Sequence, residues 1–238
     1  MEKTQPELTT LCYITRPSLA NEIGDPTASV EGNKREVLML LRNKKENDIN
    51  HAKWIGVGGH FLLGESPDDC LRREVLEETG LLINEYQNRG VITFIYGKGV
   101  VEYMQLSLAT DVQVENFESQ TGKRKEETDF MSKRVSELPE QIRRITDYGR
   151  QKYREAKYAV KDCDEGELHW VPEKAISGLS LWPGDRIFLK LLFETEKFFD
   201  LKLVYDETGI LEKAILDGKE IPHQELIETY GLEEKDLK

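Results

Sequence analysis

Glu74, Glu77 and Glu78 fall in the run Arg73-Glu74-Val75-Leu76-Glu77-Glu78. Their i, i+3, i+4 spacing puts all three carboxylates on one face if the run is helical. Like charges so placed repel by about 0.2–0.5 kcal/mol per pair in an isolated helix. A hard cation would relieve that repulsion. Oxygen-only donors suit Mg2+ or Mn2+ rather than zinc, and Mg2+ commonly binds through carboxylates together with substrate phosphates. Taken alone, the run equally fits a solvated helical face, so its surroundings must decide.

Those surroundings are built to hold a helix. Ser66-Pro67-Asp68-Asp69 supplies an N-cap serine, a proline at the first helical position and acids in the first turn. Gly80 is a stop signal, so the spacing predicts a helix over Pro67–Thr79. Leu71, Val75 and Thr79 make the neighbouring face, suited to packing on a sheet. Arg73 stands four residues before Glu77 and can pair with it or with Glu65.

Residues 59–81, GHFLLGESPDDCLRREVLEETGL, fit the pattern G-x5-E-x7-R-E-U-x-E-E-x-G-U, where U is aliphatic. The fixed positions are Gly59, Glu65, Arg73, Glu74, Val75, Glu77, Glu78, Gly80 and Leu81. The stretch resembles the Nudix box, and the chain is similar to Nudix hydrolases. That resemblance implies an α/β/α sandwich with a mixed sheet and a cut within a nucleoside diphosphate linked to another group. It implies Mg2+, or Mn2+, held by Glu74, Glu77, Glu78 and a carbonyl near Gly59. Arg73 would orient the carboxylates and Glu65 would support the loop or a second metal. The general base varies in the family and stays unassigned among the box glutamates.

Composition sets compatible bounds. The 238 residues suffice for one domain, 1–238, carrying an insertion. A net charge of −12 argues against a general nucleic-acid binder, and no apolar run suggests a membrane partner. Cys12, Cys70 and Cys163 have no ligand spacing and suggest a reducing compartment. Cys70, inside the expected helix, reads as packing. The N-terminus has no apolar signal core, so the expected location is the cytoplasm. Monomer and homodimer both remain open.

Strand and helix signals alternate. Thr9–Thr15 and Glu36–Leu41 read as strands around a long polar loop, and Lys53–Gly59 leads into the box. Val91–Tyr96 and Val101–Ala109 read as strands joined by a Gly-Lys-Gly turn, and Leu168–Val171 as a short one. Pro172–Ala175 starts a helix, and Asp185–Glu196 has amphipathic spacing. Phe199–Tyr205 and Ile210–Leu216 suggest a final hairpin. Residues 113–160 are so polar that they read as an insertion of roughly forty residues with helical character from Ser136 to Tyr158. It suits a solvated excursion, and equally a lid or dimer contact.

Two further segments bear on the ligand. In Asp162–Trp170, Glu165 is the expected extra metal carboxylate, because MutT-like Nudix relatives acting on oxidised purine nucleotides carry one five residues before a tryptophan; Asp164 and Glu167 compete. Leu181-Trp182-Pro183-Gly184-Asp185 resembles the W-P-x-D segment lining the purine pocket of those relatives. Trp182 would stack on a base and Asp185 would bond its edge, above all if buried and protonated. Singly, Trp182 also suits an ordinary core and Asp185 a helix N-terminus. Ile55 stands where some relatives have a base-binding Asn after the tryptophan, so a preference for 8-oxoguanine does not follow.

The nearest likeness is to the bacterial 8-oxo-dGTP diphosphatases. It implies nucleoside triphosphate hydrolysis to the monophosphate and pyrophosphate. Two other classes stay open: a Nudix hydrolase of ADP-ribose or dinucleoside polyphosphates, and a non-catalytic nucleotide sensor. The intact box and the lack of a basic DNA-binding signal weigh against the sensor.

Overall fold

Period-two burial builds the sheet. Along β1 (Glu7–Pro17) and β2 (Arg35–Leu41), apolar side chains point alternately to two covered faces, so both strands read as near-continuous apolar runs. The computed structural model describes residues 5–18, 35–45, 48–97, 99–114 and 157–238. Its remaining strands are β3 (Trp54–Ile55), β4 (Leu81–Tyr96), β5 (Val100–Val114), β6 (Glu167–Pro172), β7 (Phe199–Tyr205), β8 (Leu211–Leu216) and β9 (Lys219–Glu220). They join in one mixed sheet in the order β3-β2-β1-β5-β4-β7-β8-β9, with β6 on β2. The β1–β5 and β4–β7 pairs are parallel and the rest antiparallel. Leu40 and Leu41 pair with both β3 and β6, so those two strands lie on opposite edges of β2.

Register assigns the faces. Cys12, Ile14, Leu38, Ala109 and Val112 pack against Leu71 and Val75 of α1 (Pro67–Thr79). Tyr13, Val37, Met39, Ile92, Phe94, Met104, Leu106 and Leu108 face the other way, toward Ile187, Phe188 and Leu192 of α2 (Pro183–Glu194). A short 3-10 turn (Glu173–Gly178) and α3 (His223–Glu228) complete that second layer. The result is the expected α/β/α sandwich. No helix among the described residues is long and apolar enough to cross a membrane.

Several expected boundaries shift. β4 starts ten residues before the expected Val91, at Leu81, because bulges between Ile83 and Tyr86 and between Asn88 and Gly90 break the alternation a sequence reading relies on. β5 runs to Val114, so residues 113 and 114 belong to the sheet and not to an insertion. At the far end Tyr158 is buried in the α1-side core, edge-on to Trp170. Of the expected loop over residues 17–34, Pro17 ends β1 and residues 19–34 lie outside the described residues, as do residues 115–156. The helix expected from Pro172 is the 3-10 turn, and α2 begins at Pro183, two residues before the expected Asp185.

One buried cation anchors α2. Arg89 of β4 is 3 % exposed and donates to the carbonyl of Leu192 at 3.1 Å and to that of Thr195, at the helix C-terminus. A cation there complements the helix dipole and satisfies orphan carbonyls. Arg89→Leu should therefore destabilise the protein by about 2–4 kcal/mol in urea unfolding, since both carbonyls lose a donor they cannot replace. A loss under about 0.5 kcal/mol, the range of an ordinary surface substitution, would refute this anchoring role.

Candidate active site

α1 is fixed at both ends. Ser66 Oγ accepts from the Asp69 amide at 3.2 Å while the Asp69 carboxylate accepts from the Ser66 amide at 3.0 Å, a reciprocal capping box with Pro67 at the first helical position. Gly80 closes the helix in the left-handed region (φ 74°), its N–H donating to the Leu76 carbonyl at 3.0 Å. Leu71, Val75, Thr79 and Cys70 are fully buried beneath it. Burial pushes the Cys70 thiol up to about 12, which fits packing and not nucleophilic chemistry.

The exposed side of α1 is organised by one guanidinium. Arg73 meets Glu65 at 2.5 and 2.9 Å, Glu74 at 2.7 Å and Glu77 at 3.1 Å, and donates to the His60 carbonyl at 3.0 Å. Both pairings expected for Arg73 are thus present together. The Arg73 hydrogen bonds, with the Leu62 amide second, hold the Glu65 carboxyl down at about 2. Glu74 is tucked in, whereas Glu77 is 60 % exposed.

Glu78 behaves differently. It is 8 % exposed and accepts from the Gly58 amide at 3.1 Å. Burial pushes its carboxyl up to about 7; the Gly58 amide offsets part of this and the neighbouring charge of Glu74 adds to it.

The loop before α1 is strapped to β1. Cys12 and Val57 exchange backbone hydrogen bonds at 2.7 and 3.0 Å, and the Thr10 amide donates to the Gly59 carbonyl at 2.9 Å. This brings Gly59 against the helix: a Cβ there would sit 2.6 Å from Glu74 Oε1. Only glycine leaves room for that carboxylate.

The donor set fits a hard divalent cation. It is all oxygen, carries more acid than Arg73 can neutralise, and includes a buried carboxyl short of a countercharge. Among the described residues, no three His, Cys, Asp or Glu side chains are gathered into a ready cage. An ion held there by one or two carboxylates, waters and phosphate oxygens matches the habit of Mg2+. Glu74, Glu78 and the Gly59 carbonyl are the groups that could hold such an ion, with Glu77 at the rim.

Glu165 is paired with Arg42 and, at 2.9 Å, with Lys45. Arg42 also holds Asp48 at 2.5 Å, and the charges of Arg42 and Lys45 both reach Glu78. The chain thus brings Glu165 to the neighbourhood of Glu78 but binds it to two cations. Its competitor Glu167 takes Asn43 at 2.9 Å and His169 at 3.2 Å.

Trp182 and Asp185 open the other layer. Trp182 caps α2, gives its indole N–H to Asn50 Oδ1 at 2.8 Å and stands edge-on to Tyr205. Lys53 Nζ lies 4.9 Å over its ring. Asp185 is 5 % exposed, among the buried residues Tyr13 and Tyr205 and near Tyr96. Burial raises its carboxyl to about 7, with a hydrogen bond from the Trp182 backbone and the charge of Lys53 offsetting part of the rise. The Tyr13 hydroxyl beside it is fully buried, with the Gly56 backbone as the hydrogen-bonding group against it among the described residues. Trp54 meets His169 edge to face at 5.4 Å. Sequence reasoning missed Tyr13, Tyr96 and Tyr205: each sits in an apolar strand, and only register shows them sharing a face.

Comparison with known proteins adds a family. Residues 27–126 match the family model described as the NUDIX domain. A Bacillus subtilis protein described as an uncharacterised Nudix hydrolase, YvcI, is 37% identical over 171 residues, spanning 71% of this chain and 82% of its own. A zebrafish (Danio rerio) oxidised purine nucleoside triphosphate hydrolase is 31% identical over 81 residues, 34% of this chain and 49% of its own. A crystal structure of a MutT protein from Bacillus halodurans superposes with a TM-score of 0.56 at 16% identity, covering 89% of this chain and 97% of that one.

The Asp185 environment makes stability depend on pH. Its carboxyl titrates at 3.8 in an open chain and at about 7 in the fold, so the folded state holds the proton more tightly. The contribution is fully present below pH 3.8 and is lost as pH rises toward 7, on the order of 4 kcal/mol in all. Asp185→Asn cannot ionise. Denaturant melts from pH 4 to pH 8 should show the variant gaining stability relative to the parent as pH rises. Parallel profiles would mean that Asp185 is not buried among apolar groups.

Proposed function

The chain belongs to the Nudix hydrolase family, and on that premise we propose that it hydrolyses a purine nucleoside triphosphate, oxidised purines included, to the monophosphate and pyrophosphate with Mg2+ or Mn2+. The observation that carries the purine is Asp185, a carboxyl buried beside aromatic rings with its titration moved close to neutrality. A neutral carboxyl offers a donor and an acceptor side by side, which suits the edge of a base. Trp182, half-buried at the N-cap of α2, supplies an aromatic surface in the same layer. The zebrafish relative, described as an oxidised purine nucleoside triphosphate hydrolase, supports the same class of substrate.

The chemistry follows from the residues around α1. A bound divalent cation supplies charge neutralisation on phosphate oxygens and acidifies a coordinated water. Glu74 is held in place by Arg73 on one side and the Gly59 backbone on the other, which keeps its carboxylate aimed without further ordering. Burial pushes the Glu78 carboxyl up to about 7, close to what a general base requires. Its Oε2 accepts from the Gly58 amide, so Oε1 is the oxygen left to face the cation or its water. Glu65 locks Arg73 from the loop side. Glu165, now paired with Arg42 and Lys45, would add a further oxygen donor near Glu78 if phosphate drew those two cations away.

A substrate panel with Mg2+ tests this reading: dGTP, 8-oxo-dGTP, dATP, dCTP, ADP-ribose and diadenosine polyphosphates, with products identified by chromatography. Purine triphosphates should lead and yield monophosphate plus pyrophosphate. On the best of them, Glu78→Gln should lower kcat by about 100-fold or more while circular dichroism stays unchanged. A parent-like kcat in that variant would remove the metal and base assignments together. A clear lead for ADP-ribose or a dinucleoside polyphosphate would replace the substrate.

A further inference from the structure

Glu102 of β5 occupies an odd place for a carboxylate. Pairing sets it directly across from Phe94, and the same register puts Thr9, Tyr13, Phe94, Tyr96 and Tyr205 on its face of the sheet. Its strand neighbours on that face are Met104, Leu106 and Leu108, all in the apolar core. Phe94, Tyr96 and Tyr205 form a row of nearly parallel rings, 5.8 Å apart at 7° and 5.6 Å apart at 14°. The row ends at the edge of Trp182, beneath the α2 N-terminus that carries Asp185. Glu102 is half-buried at the flank of this row. Thr9 Oγ1 donates to its Oε1 at 2.5 Å, and among the described residues its Oε2 accepts no hydrogen bond. Tyr96 lies in the field of both Glu102 and Asp185, and Asp185 lies in the field of Glu102. The buried hydroxyl of Tyr13 lies in the field of Asp185 in the same layer.

We propose that Glu102, oriented by Thr9, reads the edge of the base together with Asp185, and that the pair selects purines bearing a 2-amino group over those without one. This rests on the purine triphosphate reading and deepens it. One neutral carboxyl satisfies an adenine-type edge, an amino donor beside a ring-nitrogen acceptor. A guanine-type edge presents the O6 acceptor and, on the same side, the N1–H and 2-amino donors. Asp185 can give its proton to O6 and accept from N1–H, and the 2-amino group then needs a second acceptor. The free Oε2 of Glu102 supplies it. A half-buried acceptor left unpaired by a base lacking that group is the discriminating cost.

The test compares dGTP with dITP, which differ only in the 2-amino group, on the intact protein with Mg2+. The parent should favour dGTP. Glu102→Gln keeps shape and offers an amide, and the dGTP:dITP ratio of kcat/KM should fall by about tenfold to a hundredfold, carried by KM on dGTP with kcat little changed. Thr9→Val should lower the same ratio less, since it removes only the hydroxyl that aims Glu102. Quenching of tryptophan fluorescence by dGMP and dIMP should move in step, a readout independent of turnover. An unchanged ratio, or equal losses on both nucleotides, would overturn the role of Glu102. A parent that turns over no purine triphosphate but does cut another member of the panel would instead overturn the substrate reading beneath it.

Discussion

A single guanidinium facing three carboxylates is the constraint on which the rest of this structure turns. Arg73 binds Glu65, Glu74 and Glu77 at once, so the exposed side of α1 is ordered but still short of positive charge. Glu78, next to this cluster, has its proton affinity raised chiefly by burial, and the charge of Glu74 adds to the rise. An arrangement of this kind is tolerable only on a rigid support, because a frayed helix would let the carboxylates swing apart. The capping box at Ser66, the left-handed stop at Gly80 and the buried seam of Leu71, Val75 and Thr79 supply that support. The remaining charge is what a divalent cation and its phosphate ligands would balance.

The sheet separates the two halves of the proposed substrate, and β1 joins them. Alternation along β1 sends adjacent residues to different tasks. The amide of Thr10 holds the Gly59 carbonyl beside the acidic helix, while the side chain of Thr9 reaches Glu102 on the layer beneath α2. The proposed phosphate and base ends would thus be tied to consecutive residues of a central strand. A shift of one residue in its pairing would exchange the faces and dissolve both ends together.

The acidic helix was legible from sequence because its signals are local. Ser66, Pro67 and Gly80 mark the ends, the glutamate spacing marks the face, and the observed helix has the expected bounds. The first half of β4 was not legible: bulges at Ile83–Tyr86 and Asn88–Gly90 spoil period two, and the polar Asn84, Glu85, Gln87 and Asn88 interrupt the apolar pattern. α3 was missed because six residues are too few for a helical pattern to declare itself. Asp185 could be proposed from its neighbours Trp182 and Pro183, whereas Tyr13, Tyr96 and Glu102 could not. Their significance lies in which strand pairs with which, and at what register. Glu165 shows the opposite limit, since a carboxylate can be singled out by spacing while its ion pairs with Arg42 and Lys45 stay invisible.

The central claim is that the carboxylates of α1 form a divalent-cation site. Titration of the metal-free protein with Mn2+, followed by electron paramagnetic resonance of the free ion, tests it without reference to turnover or substrate. The account predicts saturable binding that is lost in a folded Glu74→Gln/Glu78→Gln double variant and retained in Trp182→Ala. A double variant that binds Mn2+ as the parent does would contradict it.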